Sequence, residues 1–211
     1  MIPYATVITH IFSLFPISVC FYIYKYNFEQ EALFLFFNLI FATLFSTFYH
    51  TYDYDSIKLK ISDYETWSFL DHISAATVII VTSLYTLRYR SQQLYLLCYI
   101  FKSIVIFCYM LLNPIFSYWI YIIIGFMMIA RYKIVFDYFK KQFWLSCLTI
   151  ITITCALIFY NIALEKDYKT WHSLWHVFVF ISSGLLCISK HRMDKYYIQE
   201  NNYNRAQSNS I

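Results

Sequence analysis

Two histidines stand four residues apart in DYKTWHSLWHVFVF, residues 167–180, at the start of a long apolar run. Residues at this spacing share one face of a helix, so His172 and His176 would point in the same direction. A third histidine, His50, ends the earlier stretch FSTFYH. Three neutral imidazoles form a known catalytic zinc set, because they leave the fourth coordination position open to water. The residue types and spacing therefore predict a Zn²⁺ site with these three histidines as metal ligands.

Two further polar residues are candidates for catalytic roles beside such a metal. Asp71, in FLDH, is the acidic residue placed within an apolar segment, apart from Glu31 at the edge of another. Its carboxylate could orient or deprotonate a water molecule. Ser46, one helical turn before His50, could donate a hydrogen bond to that water or to a developing oxyanion. The predicted catalytic residues are therefore Ser46 and Asp71.

Each of these residues also has a plainer interpretation. Asp71 could pair with basic groups or cap a helix, and Ser46 could bond back to the carbonyl of Ala42. The three histidines could be interfacial residues bonded to water or to backbone carbonyls. The remaining histidines have no partner at metal-ligand spacing and are expected to be structural; they are His10, His72 and His191. Substitution of His10 or His191 should therefore leave the metal bound.

The elements that hold these residues are predicted to be membrane helices. Hydrophobic residues make up 60% of the 211 positions and charged residues only 13%, outside the usual balance of a soluble domain. The apolar runs lack the alternation of barrel strands, so helices must do the spanning. The predicted fold class is all-α, a seven-transmembrane helix bundle. Its spans lie near residues 4–24, 31–50, 66–87, 94–111, 115–131, 143–161 and 170–189.

Alternation of the spans predicts where the polar residues meet. Consecutive spans run in opposite directions, so the end of the second lies at the same membrane face as the starts of the third and seventh. These three helix ends carry His50, Asp71 and His172. The polar groups should therefore converge at one depth, whichever way up the protein sits.

Basic residues predict the orientation, because they are enriched in cytoplasmic loops. If the N-terminus is outside, eleven basic residues lie in inside segments and four in outside segments, so the C-terminus is expected to be cytosolic. This topology explains the net charge of +4, and no nucleic-acid partner is expected. Residues 1–190 form the predicted seven-transmembrane domain, and 191–211 a cytosolic, disordered tail. The eleven are Lys25, Arg88, Arg90, Arg131, Lys133, Lys140, Lys141, Lys190, Arg192, Lys195 and Arg205; the four are Lys58, Lys60, Lys166 and Lys169.

The pattern of S-x3-H, an aspartate and H-x3-H on short-looped spans resembles the CREST superfamily of membrane proteins. That superfamily includes alkaline ceramidases, progestin and adipoQ receptors, and GPI-processing hydrolases. The stretches FYH, FLDHISAATVIIVTSLY and TWHSLWHVFVFISSGLLC are most similar to its branch of myomaker-like and GPI-processing phospholipase proteins. The resemblance implies the same ligands, His50, His172 and His176, with supporting roles for Ser46 and Asp71.

Two functions from different classes follow from these expectations. The first is a zinc-dependent intramembrane hydrolase that cleaves an amide or ester bond of a membrane lipid. The alternative is a noncatalytic, myomaker-like surface protein for membrane remodelling or cell fusion, in which the metal only ties helices together. Either protein would be a multi-pass protein of the plasma membrane or an endomembrane, and the sequence does not fix its oligomeric state.

Overall fold

A computed structural model of the chain describes residues 5–53, 64–89, 91–112, 116–165 and 168–208. These residues are almost entirely helical and contain no strand, as the predicted fold class requires. The helices are α1 (Ala5–Thr9), a 3-10 turn (His10–Ser13), α2 (Leu14–Asn27), α3 (Gln30–Asp53), α4 (Tyr64–Thr86), α5 (Ser91–Leu112), α6 (Phe116–Ala130), α7 (Tyr132–Lys141), α8 (Phe143–Glu165) and α9 (Tyr168–Ser208).

Within the described residues, five helical stretches are long and apolar enough to cross a membrane, as expected of an integral membrane protein. The segments predicted as fourth and fifth spans are also helical, but the apolar part found in the fourth, Ser91–Phe107, is shorter. A total of seven spans therefore stays a prediction. The five stretches are Thr6–Asn27, Gln30–Thr51, Tyr64–Thr86, Phe143–Ala163 and Thr170–Ser208.

The first span changes its winding near its start. Between α1 and α2, residues His10–Ser13 form a 3-10 turn rather than α-helix. Pro16 explains the change, because proline has no N–H to donate to the carbonyl of Phe12, and its ring clashes with that carbonyl in a regular α-helix. The chain keeps its direction through the tighter turn.

The first span packs alongside α9, and the two run parallel. Near their starts, the hydroxyls of Thr6 and Ser173 are hydrogen-bonded at 2.8 Å. Further along, the sulfurs of Cys20 and Cys187 lie 3.7 Å apart. Both pairs are separated by 167 residues, so the two helices keep one register over this length. The start of the first span therefore lies beside the start of the last.

Charged side chains join the helices at the opposite end of the bundle. Lys190 of α9 forms ion pairs with Glu29 and, at 2.7 Å, with Asp194. Asp194 also forms an ion pair with Arg88 at 2.9 Å. Because Lys190 is buried and Asp194 is half-buried, these contacts compensate charges that would otherwise be costly to remove from water.

The C-terminal segment differs from the predicted disordered tail. Helix α9 continues without a break through Ser208, so residues 191–208 are helical. Contacts with α7, a short amphipathic helix that the hydropathy pattern did not predict, explain part of the difference. Lys141 pairs with Glu200 at 3.0 Å, and Tyr197 donates a hydrogen bond of 2.6 Å to Asp137. Through these contacts, the helical segment 191–208 has partners outside the apolar bundle.

Candidate metal centre

Helices α3 and α9 bring three histidine nitrogens into mutual contact. The Nε2 atom of His50 lies 3.2 Å from that of His172 and 3.2 Å from that of His176. The nitrogens of His172 and His176 are 3.1 Å apart. All three side chains are buried. The predicted convergence of these residues is therefore present in the fold.

Hydrogen bonds among the three Nε2 atoms cannot give every one of them a partner. A neutral imidazole nitrogen carries either one proton or one lone pair, and each points along a single direction in the ring plane. Three such atoms in mutual contact cannot each donate to and accept from the others. A buried polar atom without a partner costs about 1–3 kcal/mol. A cation bound by the three lone pairs removes that cost, so the arrangement favours a metal site.

The spacing of the nitrogens fits the dimensions of zinc. Zinc–nitrogen bonds are about 2.0–2.1 Å, and tetrahedral angles then place two ligand nitrogens about 3.3–3.4 Å apart. The three observed separations are within a few tenths of an ångström of that value. Neutral imidazole also suits copper, iron and nickel, so the ligands alone do not identify the metal.

Aromatic rings hold two of the ligands in place. Trp175 lies between them in the sequence, with its ring 4.9 Å from that of His172 and 4.7 Å from that of His176. On the outer side, Tyr168 stacks on His172 at 4.5 Å, and on the inner side Phe180 stacks on His176 at 6.0 Å. This packing restricts the rotation of both imidazoles.

Ser46, one turn before His50 on α3, lies close to Asp71 of α4. Both side chains are buried. Asp71 is the carboxylate that the Ser46 hydroxyl faces, although their contact falls outside regular hydrogen-bond geometry. Within the described residues Ser46 does not form the alternative bond to Ala42, whereas Thr43 and Thr47 on the same helix do bond back to carbonyls. The serine hydroxyl therefore stays available to another partner.

His10, which the sequence predicted to be a structural residue, also lies at the cluster. Its ring centroid is 4.4 Å from that of His176 and 5.7 Å from that of His50. One nitrogen of each of these three residues lies within 4.8 Å of the other two. The parallel packing of the first span on α9 gives the physical reason. Alternation of the predicted spans also places His10 and His172 at one membrane face, since both lie near the start of odd-numbered spans, whereas the lateral approach of His10 depends on this packing.

The other two histidines are held by ordinary hydrogen bonds. His72 donates from Nδ1 to the carbonyl of Ser68, one turn earlier on α4, at 2.6 Å. His191 lies at the far end of the bundle, where its Nδ1 accepts a hydrogen bond of 3.1 Å from Asn27. Both contacts fit the structural roles that the sequence predicted.

Tyr168 is a polar residue at the cluster that the sequence did not single out. Its hydroxyl lies 3.4 Å from Nε2 of His172. The sequence spacing could have identified it, because Tyr168 lies four residues before His172, as His172 does before His176. Desolvation, followed by the nearby Tyr49 and Asp71, raises the pKa of the Tyr168 hydroxyl above its ordinary value, although 37% of the residue is exposed. The hydroxyl therefore remains protonated at physiological pH and can serve as a hydrogen-bond donor.

The fold and the site together define an all-helical membrane protein with a buried cluster of histidines at one end of its long helices. Residues 4–177 match the family described as "Protein of unknown function (DUF3522)", and the chain belongs to that family. The matched range includes every histidine of the cluster. None of the curated proteins matches the chain.

Proposed function

We propose that this protein is a zinc-dependent hydrolase that cleaves an amide or ester bond of a membrane lipid. The observation that supports it most is the triangle of Nε2 atoms of His50, His172 and His176, 3.1–3.2 Å apart. Buried polar groups are expensive within a bilayer, so a cluster of them points to a function rather than to packing. The resemblance of the motifs to the CREST superfamily agrees with this proposal.

The residues supply the roles that hydrolysis requires. His50, His172 and His176 would hold a zinc ion, which would supply a Lewis acid for the lipid carbonyl and for the activation of water. Asp71 would accept the proton of the attacking water and return it to the leaving amine or alkoxide. Ser46, whose hydroxyl faces Asp71, would donate a hydrogen bond to the developing oxyanion. Tyr168 is placed to donate a second one.

A membrane lipid is the substrate class that the position of the site favours. The ligands lie near the ends of apolar helices, about where the head group of a lipid meets its acyl chains. With seven spans and the N-terminus outside, this end faces the extracellular or lumenal leaflet. The excess of eleven basic residues over four supports that orientation. The protein would then be a multi-pass protein of the plasma membrane or an endomembrane.

A noncatalytic role in membrane remodelling or cell fusion is the second candidate. It is favoured by the way a metal at this site would link α3 to α9, which are distant in sequence. Here the metal would only stabilise the bundle.

A lipid turnover assay with matched histidine variants separates these functions. The purified protein in lipid nanodiscs would be incubated with ceramides, lysolipids and GPI-like lipids, with and without a chelator. We expect hydrolysis of at least one class, its loss with chelator and its recovery with added zinc. His172→Ala should be inactive, whereas His191→Ala, a change on the same helix but outside the cluster, should retain activity. If the wild type releases no more product than His172→Ala on any lipid, the hydrolase proposal is wrong.

A further inference from the structure

We propose that His10 is a fourth metal ligand, so that the resting site is a shell of four imidazoles. This inference rests on the proposed metal site but adds a residue that lies outside both paired motifs, S-x3-H and H-x3-H. The first span would thereby be joined to α3 and α9 through one ion. The observations that support it concern the tautomer, burial and position of His10.

A hydrogen bond fixes the tautomer of His10. Its Nδ1 lies 2.7 Å from the backbone carbonyl of Thr6, one turn earlier. A carbonyl can only accept, so Nδ1 must carry the proton and Nε2 must hold the lone pair. Metal-binding histidines commonly have this arrangement, with the second nitrogen donating to a carbonyl that orients the ring. His10 is therefore prepared to bind a cation through Nε2.

The Nε2 atom of His10 is buried and, among the described residues, has no hydrogen-bond partner. Only 5% of the residue is exposed. An unpaired acceptor in such surroundings costs about 1–3 kcal/mol. The nearest ring is that of His176, and the ligating atoms of His10, His50 and His176 lie within 4.8 Å of one another. A shared cation would give this lone pair its missing partner.

The distortion of the first span sets the position of His10. The 3-10 turn His10–Ser13, which Pro16 causes, begins at this residue. On its outer side, the buried hydrogen bond between Thr6 and Ser173 ties the helix to α9. The turn that carries His10 is thus fixed against the helix that carries His172 and His176.

A fourth imidazole changes how a substrate could reach the metal. Four protein ligands make a closed site, of the kind typical of structural zinc, whereas three leave a position open. For hydrolysis, His10 would therefore have to release the metal, so that the water needed for the proposed reaction could take its place. In the noncatalytic alternative, the closed shell would be permanent.

X-ray absorption spectroscopy of the zinc-loaded, full-length protein tests the inference directly, because it counts the imidazoles around the metal. We expect four nitrogen ligands in the wild type and in His191→Ala, and three with one oxygen in His10→Ala. Competition with a chelator should show at least about tenfold weaker zinc binding by His10→Ala, since even changes outside the ligand shell cost about 10–100-fold.

The outcomes distinguish this inference from the proposed function. Wild-type protein that binds zinc through three imidazoles and an oxygen overturns the role of His10 and leaves the hydrolase proposal standing. Equal zinc affinity of wild type and His10→Ala has the same consequence. Wild-type protein that binds no zinc overturns both proposals. If His10→Ala does not fold, the ligand count of the wild type still decides the question.

Discussion

The Nε2 atoms of His50 and His176 lie 3.2 Å apart, although 126 residues separate them in the chain. His50 comes from the end of α3 and His176 from the first part of α9, so the two side chains reach toward each other from helices that are distant in the chain. They reach this distance only when both helices are in their folded positions. The site is therefore a product of the tertiary fold, and its loss should be visible both in metal content and in stability.

Substitution of any histidine of the paired motifs should remove most of the bound metal. In His50→Ala, His172→Ala and His176→Ala we expect zinc to fall well below one equivalent per chain, because each change removes a ligand. Elemental analysis of detergent-purified protein measures the content, and His191→Ala serves as the matched control. Less than about half an equivalent in well-folded wild type, or full zinc in a double variant at His172 and His176, would contradict the predicted site.

The sequence predicted that His50, His172 and His176 converge, because helical spacing and the alternation of spans both follow from the order of residues along the chain. A spacing of four fixed the shared face of His172 and His176, and alternation placed His50 at the same end. His10 was missed because it has no partner at that spacing, and its approach depends on the packing of the first span against α9. Helix α7 was not predicted, because polar and apolar residues follow each other at short intervals in KIVFDYFKK and the segment does not resemble a membrane span.

A glycine contact between the first and last spans should be sensitive to any added side chain. A Cβ atom at Gly184 would lie 2.3 Å from Cε1 of Phe15, too close without movement of that ring. Gly184→Ala should therefore destabilise the protein by about 1 kcal/mol, the low end for overpacking, because the Phe15 side chain is exposed and its ring can move aside. Gly125→Ala is the control, because nothing lies within 4 Å of its added Cβ.

Thermal unfolding in detergent measures the effect of both glycine variants. We expect a lower unfolding temperature for Gly184→Ala and an unchanged or slightly higher one for Gly125→Ala, since alanine favours helices. A second change, Phe15→Leu, should restore part of the loss by making room. Equal unfolding temperatures for the two single variants would show that the packing of Phe15 on Gly184 is not as described.

Ser46→Ala should lower turnover while leaving the metal in place. The serine lies one turn before His50, and its hydroxyl is buried without a regular hydrogen bond in the described residues. Removal of one oxyanion donor typically costs about 10²–10³ in kcat. Lipid hydrolysis and zinc content would be measured on the same preparation, with Thr47→Ala, a neighbour that bonds only to its own helix, as the control. Full activity of Ser46→Ala would exclude a role in the reaction.

The orientation can be tested by cysteine labelling in intact cells. Ser208, at the exposed end of α9, is predicted to be cytosolic, and Glu165, exposed at the end of α8, to be outside. An impermeant maleimide should label Glu165→Cys in intact cells but label Ser208→Cys only after permeabilisation. The wild-type chain, with its own cysteines, gives the background. The reverse pattern would place the metal centre on the cytosolic side.

Asp71→Asn distinguishes a catalytic site from a purely structural one. The amide keeps the size of the buried side chain, so the bundle and its histidines should remain in place, but it cannot accept a proton. If Asp71 acts as the base, turnover should fall about 10²–10⁴-fold with zinc content and unfolding temperature unchanged. For a noncatalytic protein, Asp71→Asn should instead retain full activity in a membrane fusion assay while the histidine-to-alanine variants lose stability. Wild-type hydrolysis by well-folded, zinc-loaded Asp71→Asn would remove the carboxylate from the proposed reaction.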